Sequence, residues 1–533
     1  MNSKQIKTNY PALLTLVTVF FFWGFVAASN GILIPFCQHH FKLTNFESQL
    51  LGSAFFGAYF LGSLFLYLGS SFLKYDIVNK IGYKKTIIIG LFISIIGALI
   101  MIPSTNANSF DLILCSLFII ALGFSLQQTA AQPFAISLGD ESTGAHRLNF
   151  AGGINSLGTT VGPIIVSYFL FGNLTSKLEP SPSNINTLYL ILAGVFMFVA
   201  LIFTFSKLPS GKNDDPIENS PKASKTLIAI TISILGLIAL GNETSITKEL
   251  LLSLLLVSII GILIYSKSQA VKVPEGWGAM KYPQLIYGMI AIFIYVGVEV
   301  SIDNNFGALL KTPGYLTKIG LKDNEISKYI SLYWGSLMIG RWIGAISVFQ
   351  LSKISKLIAT IIVPFCAFGI VLYANSLKGT DVSDLYNYAI VIVIGIIAFL
   401  LAKEKPVRTM AIVSTLAIFS MLIGVFTTGL VSIYAFISGG LFCSVMWPCI
   451  FALSVTGLGK HTSQGSAFLI TMILGGAIIP PFQGAIGDTW GIHFSYIIAA
   501  ACFAVLLILT LLIKKSLTEQ NINVDNIEAE GGH

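Results

Sequence analysis

Residues Leu13 to Phe36 read LLTLVTVFFFWGFVAASNGILIPF, without one Asp, Glu, Lys or Arg. A helix needs about 20 mostly apolar residues to cross the bilayer hydrocarbon. Lipid offers no partner for backbone N–H and C=O groups, so such a run is predicted to be helical. It is longer than the apolar core of a secretory signal and does not end in a small-residue cleavage site, so it is read as a retained span.

The same reading extends along the chain. Further runs cover Leu50 to Leu73, Thr86 to Ile102, Phe110 to Leu138, Phe150 to Leu170 and Leu188 to Phe205. A polar stretch from Pro209 to Lys225 separates them from a longer second half. There Leu227 to Leu240 and Leu250 to Tyr265 form one hairpin, and Leu285 to Leu310 and Ile330 to Val348 follow. Leu357 to Tyr373 and Tyr388 to Ala402 form a second hairpin. Met410 to Phe426, Leu430 to Val455, Ala467 to Ile486 and Tyr496 to Ile513 complete the set. By the 20-residue rule this is an all-α, polytopic membrane protein of about 16 spans.

Composition agrees. Apolar residues make up 55% of the chain and charged residues 10%, against roughly a quarter charged in soluble domains. So little charge cannot cover a water-facing surface. The net charge of +7 is spread rather than clustered, which argues against nucleic acid as a partner. Cys37, Cys115, Cys366, Cys443, Cys449 and Cys502 lie in or beside apolar runs and form no Cys-x-x-Cys pair. They are read as small hydrophobes, with no disulfide or metal site.

Lys and Arg concentrate on one side of the predicted bilayer, roughly two to one. With a cytoplasmic N-terminus, the inside loops hold Lys74, Lys80, Lys84, Lys85, Lys353, Lys356, Lys514 and Lys515, among others. This is the positive-inside bias, and it places both termini in the cytoplasm. Lys403, Lys405 and Arg408 obey it only if both runs flanking them cross the membrane. A re-entrant hairpin is the alternative.

Two helices look like repeats of one another. Gly123 to Gly139 reads GFSLQQTAAQPFAISLG. The span from Gly440 contains Trp447-Pro448, then Phe451-Ala452-Leu453-Ser454 and Gly459. Each precedes a Gly-rich helix, with Gly152, Gly153 and Asn155 in one and Gly465, Ser466, Gly475 and Gly476 in the other. Interrupted helices at matching places in two halves point to a transport site at the repeat interface. Small residues there let helices approach closely.

Longer segments resemble a known family. They are Trp23 to Pro35, Gln128 to Phe134, His146 to Ser156, Tyr295 to Val300, Gly340 to Gly344, and Gly465 to Gly476. Together they are similar to the fucose/glucose/galactose branch of the major facilitator superfamily. Asn79 to Lys85 resembles the superfamily's basic signature, with Asn79 where an Asp is usual. The resemblance implies two six-helix bundles with two added transmembrane hairpins. Residues 1–208 would be the N-terminal bundle and 209–283 a cytoplasmic linker carrying the first hairpin. Residues 284–515 would be the C-terminal bundle, with the extra hairpin at about 357–402, and 516–533 a cytoplasmic tail. It also implies a secondary carrier for a hexose of the glucose, galactose or fucose type in a bacterial inner membrane. The carrier is expected to be a monomer, with a sugar and the lipid bilayer as partners and no enzymatic role.

Proton-coupled members of that family carry an Asp in the first span and a Glu in the fourth. Gly31 and Gln128 stand at those places here, so the proton mechanism does not transfer. Gln128 still donates and accepts hydrogen bonds. Among the family's sugar-contacting positions Asn155 is retained, Trp447 stands where a Tyr is typical, and Gly152 replaces a Gln. Gln128, Asn155 and Trp447 are therefore the expected sugar contacts, with Gln127, Gln132, Asn30 and Gln464 as second choices. Trp23 and Trp342 are read as packing residues.

Three charges fall inside apolar runs: Glu299, Asp303 one turn later on the same face, and Arg341 in the next span. Each costs roughly 2.5–3.5 kcal/mol on insertion scales and is a functional candidate by default. Glu299 and Arg341 could form a structural pair locking two helices. Alternatively Glu299, with Asp303, could bind a coupling cation. Sodium would be caged with backbone carbonyls and Asn304 or Asn305, while a proton would need a carboxyl that burial keeps neutral. No other cofactor and no metal is expected. The rival readings are a carrier of this fold for a nucleoside, peptide or drug, a non-transporting sugar sensor, and a membrane enzyme. The last lacks any polar catalytic cluster in the sequence. Asp76, Asp140, Glu141 and His146 are read as inside-loop groups that contact nearby Lys or Arg or face water.

Overall fold

The structure, a computed structural model, describes residues 7–43, 45–140, 143–171, 181–209, 220–243, 246–318, 320–321, 323–349 and 351–524. Every regular element among them is helical. The N-terminal half holds α1 (Tyr10–His40), α2 (Asn45–Leu73), α3 (Tyr83–Asn106), α4 (Phe110–Ser137), α5 (Gly144–Phe171) and α6 (Pro182–Phe205). The first hairpin is α7 (Pro221–Glu243) and α8 (Lys248–Lys272). Then come α9 (Pro283–Lys311), α10 (Asp323–Ala345), the second hairpin α11 (Lys353–Ser376) and α12 (Ala389–Ala402), and α13 (Pro406–Phe426). Two broken rods follow: α14 (Gly429–Cys443, resuming as Met446–Val455) and α15 (Thr462–Thr471, resuming as Gly475–Trp490). The last is α16 (Ile497–Glu519).

Thirteen helices among the described residues are long and apolar enough to cross a membrane, which makes this a multi-pass membrane protein. The remaining expected spans, α1, α5 and α10, are helices of 31, 28 and 23 residues. At about 1.5 Å per residue, each exceeds the hydrocarbon thickness. The α10 sequence carries Asp323, Glu325, Lys328 and Arg341, which dilutes its hydropathy.

Helices that meet closely do so through glycine. A Cβ on Gly24 of α1 would sit 1.9 Å from the Asn155 carbonyl oxygen, and one on Gly158 of α5 would sit 2.1 Å from that of Phe21. The two contacts are reciprocal, so α1 and α5 touch backbone to backbone. Helix ends are capped locally. Ser181 and Asn184 form a capping box at the start of α6, and Lys84 Nζ donates to the Thr204 and Ser206 carbonyls at its end (3.1 and 2.8 Å).

Burial sorts the helices radially. The most apolar window of α14 is 94% buried and those of α9 and α15 are 83% buried, whereas α7 and α8 reach only 22%. The first hairpin is thus peripheral, presenting Ile232, Leu235, Val257 and Ile264 outward. The second hairpin lies against α10, α13 and α14 and is also largely peripheral, with Ile358, Ile362, Ile390 and Leu401 exposed. Both halves meet along two seams, α5 with α10 and α2 with α15.

Candidate functional site

The face carrying Lys74, Lys84 and Lys403, called here the basic face, is closed. His146 of α5 bonds the Gly344 carbonyl at 3.0 Å, and Tyr10 OH donates to the Val348 carbonyl at 2.6 Å. Tyr67 OH of α2 lies 2.9 Å from Ser220 Oγ. Gln464 accepts from the Ala279 N–H at 2.6 Å and donates to Ser220 Oγ at 3.0 Å. Gln464 therefore ties down the linker before α9 and does not face the middle of the membrane. Asp76 caps the short helix Ile77–Ile81 through the Asn79 N–H (3.0 Å) and also accepts a hydrogen bond from Ser463 in the other half. Burial pushes its carboxyl above the ordinary range, and those hydrogen bonds oppose the shift. Glu141 lies outside the described residues.

Deeper along the α5–α10 seam, Arg341 gathers partners from both halves. It donates to Glu299 Oε1 (3.2 Å) and the Ser444 carbonyl (3.3 Å) in its own half. It also donates to Ser156 Oγ (2.8 Å) and the Gly152 carbonyl (3.5 Å) in the other. The backbone explains the Ser444 contact. Pro448 has no N–H for the carbonyl four residues back, so Ser444 O is left without its helical donor. The guanidinium supplies a replacement, and α14 breaks at this point. On α5, Gly152 makes the approach possible, because a Cβ there would already lie 3.3 Å from Arg341 Cδ. One on Gly153 would lie 2.7 Å from Trp342 Cδ1. Glu299 is held further by Tyr295 OH at 2.8 Å, and its carbonyl accepts from Tyr333 OH at 2.7 Å.

Asp303, one turn along α9, is less well served. The Trp334 indole donates to it, but Oδ1 has no partner among the described residues. Asn305 turns its amide to the Ser301 carbonyl (2.9 Å), and Asn304 is exposed.

Across the middle, Trp447 Nε1 reaches Gln132 Oε1 at 3.5 Å, a long contact between α14 and α4. Each residue directly precedes a proline, Pro133 or Pro448, so the two repeat helices meet at matching positions. The Trp447 ring stacks on Phe451 with Tyr295 beside it. Gln128 donates to Tyr59 OH (2.9 Å), its carbonyl oxygen bonding no described residue, and Asn155 donates to the Phe20 carbonyl (2.9 Å). Both are half-buried. Gln127 differs. It is fully buried, accepts from Trp23 Nε1 (2.8 Å) and donates to Ser94 Oγ (3.1 Å), so it fastens α4 to α1 and α3. Trp342 likewise serves packing, donating to the Gly153 carbonyl at 3.1 Å. The side chain of Asn30 lies outside what the structure describes.

Tyr59, Tyr333, Trp334 and Ser444 are polar partners that the sequence alone did not single out, and Tyr295 and Ser156 stood in family-like segments without an assigned role. Tyr59 and Ser156 sit in apolar or Gly-rich runs, where one hydroxyl gives no periodic signal.

Residues 14–403 match the Major Facilitator Superfamily. A glucose/galactose transporter of Brucella abortus is 30% identical over 500 residues, covering 93% of each chain. The L-fucose-proton symporter of Escherichia coli is 25% identical over 521 residues, covering 95% of this chain and 93% of its own. Among solved structures, the E. coli fucose:proton symporter in the outward conformation aligns with a TM-score of 0.62 at 23% identity, over 94% of this chain and 98% of that one. The human organic anion transporter MFSD10 aligns at 0.51 and 14%, over 94% and 98%.

Proposed function

We propose that this chain, which belongs to the Major Facilitator Superfamily, carries a hexose of the glucose, galactose or fucose type across a bacterial inner membrane by alternating access. The observation that supports this most is the meeting of Gln132 and Trp447 at matching positions of the two repeat helices. It stands in a chain similar along its length to a glucose/galactose transporter. Sugar hydroxyls need amides and a sugar's C–H face needs an aromatic ring. Gln128, Gln132, Asn155 and Trp447 offer both from the two halves. Gln127 and Gln464 are spent on structure.

The working arrangement is about 16 spans, with the basic face and both termini in the cytoplasm and the chain a monomer. The two bundles rock about the seam, and the added hairpins ride on the C-terminal side. Coupling falls to the acids of α9. Glu299 has Arg341 and Tyr295 as partners, while Asp303 keeps an oxygen without one among the described residues. Asp303 is therefore the better place for a transported proton or sodium ion, with Glu299 balancing Arg341.

Uptake into proteoliposomes, measured with labelled glucose, galactose and fucose under imposed sodium and proton gradients in turn, tests the reading. Accumulation of a hexose against its gradient is the expected result. Uptake of a nucleoside or peptide with none of any hexose would replace the cargo. Binding of sugar without counterflow would make the protein a sensor.

A further inference from the structure

At the basic face a cavity of about 370 Å³ opens between the first turns of α5, the end of α10 and the added second hairpin. His146 and Asn149 contribute from the N-terminal bundle, Lys353 and Lys356 from the start of α11, and Lys403 and Glu404 from the turn after α12. That turn holds both Lys403 (φ 50°) and Glu404 (φ 56°) in the left-handed region. Non-glycine residues rarely adopt it unless the surroundings fix them there. Lys356 Nζ sits 2.5 Å from Glu404 Oε1 and neutralises it. Lys353 and Lys403 form no ion pair among the described residues, so no described carboxylate offsets their two positive charges.

The remaining polar atoms of the wall have the opposite need. His146 Nδ1 faces the Gly344 carbonyl, so it carries the hydrogen, and Nε2 is an acceptor when the ring is neutral. Nε2 and Glu404 Oε2 face each other at 4.0 Å, too far for a hydrogen bond, and among the described residues neither they nor Asn149 Oδ1 has a hydrogen-bond partner. A complementary occupant brings an anionic group for the two ammonium groups and several hydroxyl donors for the three acceptors. Inorganic phosphate brings at most one or two P–O–H donors and a simple phosphatidate headgroup at most one, fewer than the acceptors present. A phosphate monoester of a sugar meets both demands, and a cavity of this size accepts one.

We infer that this cavity binds a phosphorylated sugar. The assignment rests on the proposed cytoplasmic placement of the basic face. Its walls come from both halves and from the added hairpin, so an occupant holds that face closed. The reaction class that would supply the ligand is ATP-dependent phosphorylation of the imported sugar, whose product would then slow its own carrier.

The test is calorimetric titration of the purified full-length protein with glucose 6-phosphate, galactose 1-phosphate, fucose 1-phosphate, the free sugars and inorganic phosphate. At least one sugar phosphate is expected to bind tenfold or more tightly than inorganic phosphate. K353Q/K403Q should weaken that binding at least tenfold while leaving free-sugar binding and uptake in place. Sugar phosphates that bind no better than inorganic phosphate, or bind the double variant equally well, overturn the proposal. So does thermal stabilisation by phosphatidate nanodiscs that sugar phosphate fails to displace, since the site would then belong to lipid. Binding needs no transport. Uptake without sugar-phosphate binding sinks this assignment alone, and binding without uptake sinks only the carrier reading.

Discussion

Arg341 of α10 donates a 2.8 Å hydrogen bond to Ser156 of α5, across the seam between the two halves. Its countercharge, Glu299, stays within its own half at 3.2 Å. This division matters for a rocking carrier. Separating an ion pair in a dry interior costs far more than breaking a hydrogen bond to a neutral hydroxyl. When the halves part here, only neutral contacts break and the charges remain balanced.

Removing the cation should therefore be far worse than removing the hydroxyl. Arg341→Gln leaves Glu299 uncompensated, a change expected to destabilise by about 3–5 kcal/mol. Ser156→Ala should cost about 1 kcal/mol. The double variant Glu299→Gln/Arg341→Gln should recover much of the loss. Thermal unfolding in detergent decides, and a double variant as unstable as Arg341→Gln would refute the pairing account.

The two acids of α9 should separate by role. Asp303→Asn is expected to abolish accumulation against a gradient while sugar exchange continues. Glu299→Gln is expected to show its main effect in stability, through the stranded Arg341. Uptake and counterflow in the same vesicles measure both. Accumulation that survives in Asp303→Asn and fails in Glu299→Gln would return the coupling role to Glu299.

Adjacent glutamines give a sharper contrast. Gln128→Ala removes an amide that can turn to a sugar hydroxyl, and a hydrogen bond of about 0.5–1.5 kcal/mol corresponds to a roughly 2–10-fold rise in Km. Asn155→Ala should act in the same direction. Gln127→Ala removes the acceptor for Trp23 and the donor to Ser94, so it should lower the melting temperature with little change in Km. A Km effect at Gln127 without loss of stability would contradict its placement.

Helix content and the two hairpins were legible because lipid leaves apolar runs no other secondary structure. The seam was less so. Gln127 and Gln128 sit in one motif, and only the rotation of α4 against α1 and α2 decides which is consumed by packing. Gln464 resembled a central residue because it opens a Gly-rich helix, yet the fold sets that opening at the basic face. Gly152, read as a lost sugar contact, makes room for the Arg341 side chain, and that neighbour lies 189 positions away. Local sequence cannot reveal such a vacancy.

The break in α14 should be functional. Pro448→Ala supplies an N–H to the Ser444 carbonyl and competes with Arg341 Nε for it. A continuous helix is more stable in isolation, so the expected result is a higher melting temperature with slower turnover. Unchanged turnover would make the break incidental.

The closed basic face should respond to charge at Asp76. Burial raises its carboxyl above the ordinary 3.8, so the closed arrangement holds the proton more tightly than an open, hydrated one would. The stability this gives to closure is fully present below pH 3.8 and is lost as pH rises through the raised value. At neutral pH, Asp76→Asn removes the buried charge while keeping an oxygen to accept from the Asn79 N–H. The variant should hold the face shut. Uptake should turn over more slowly, and amide exchange across Ile77–Ile81 should slow as well. Faster exchange over that helix would mean that Asp76 helps to close the face by its negative charge, with the hydrogen bonds from Asn79 and Ser463 outweighing desolvation.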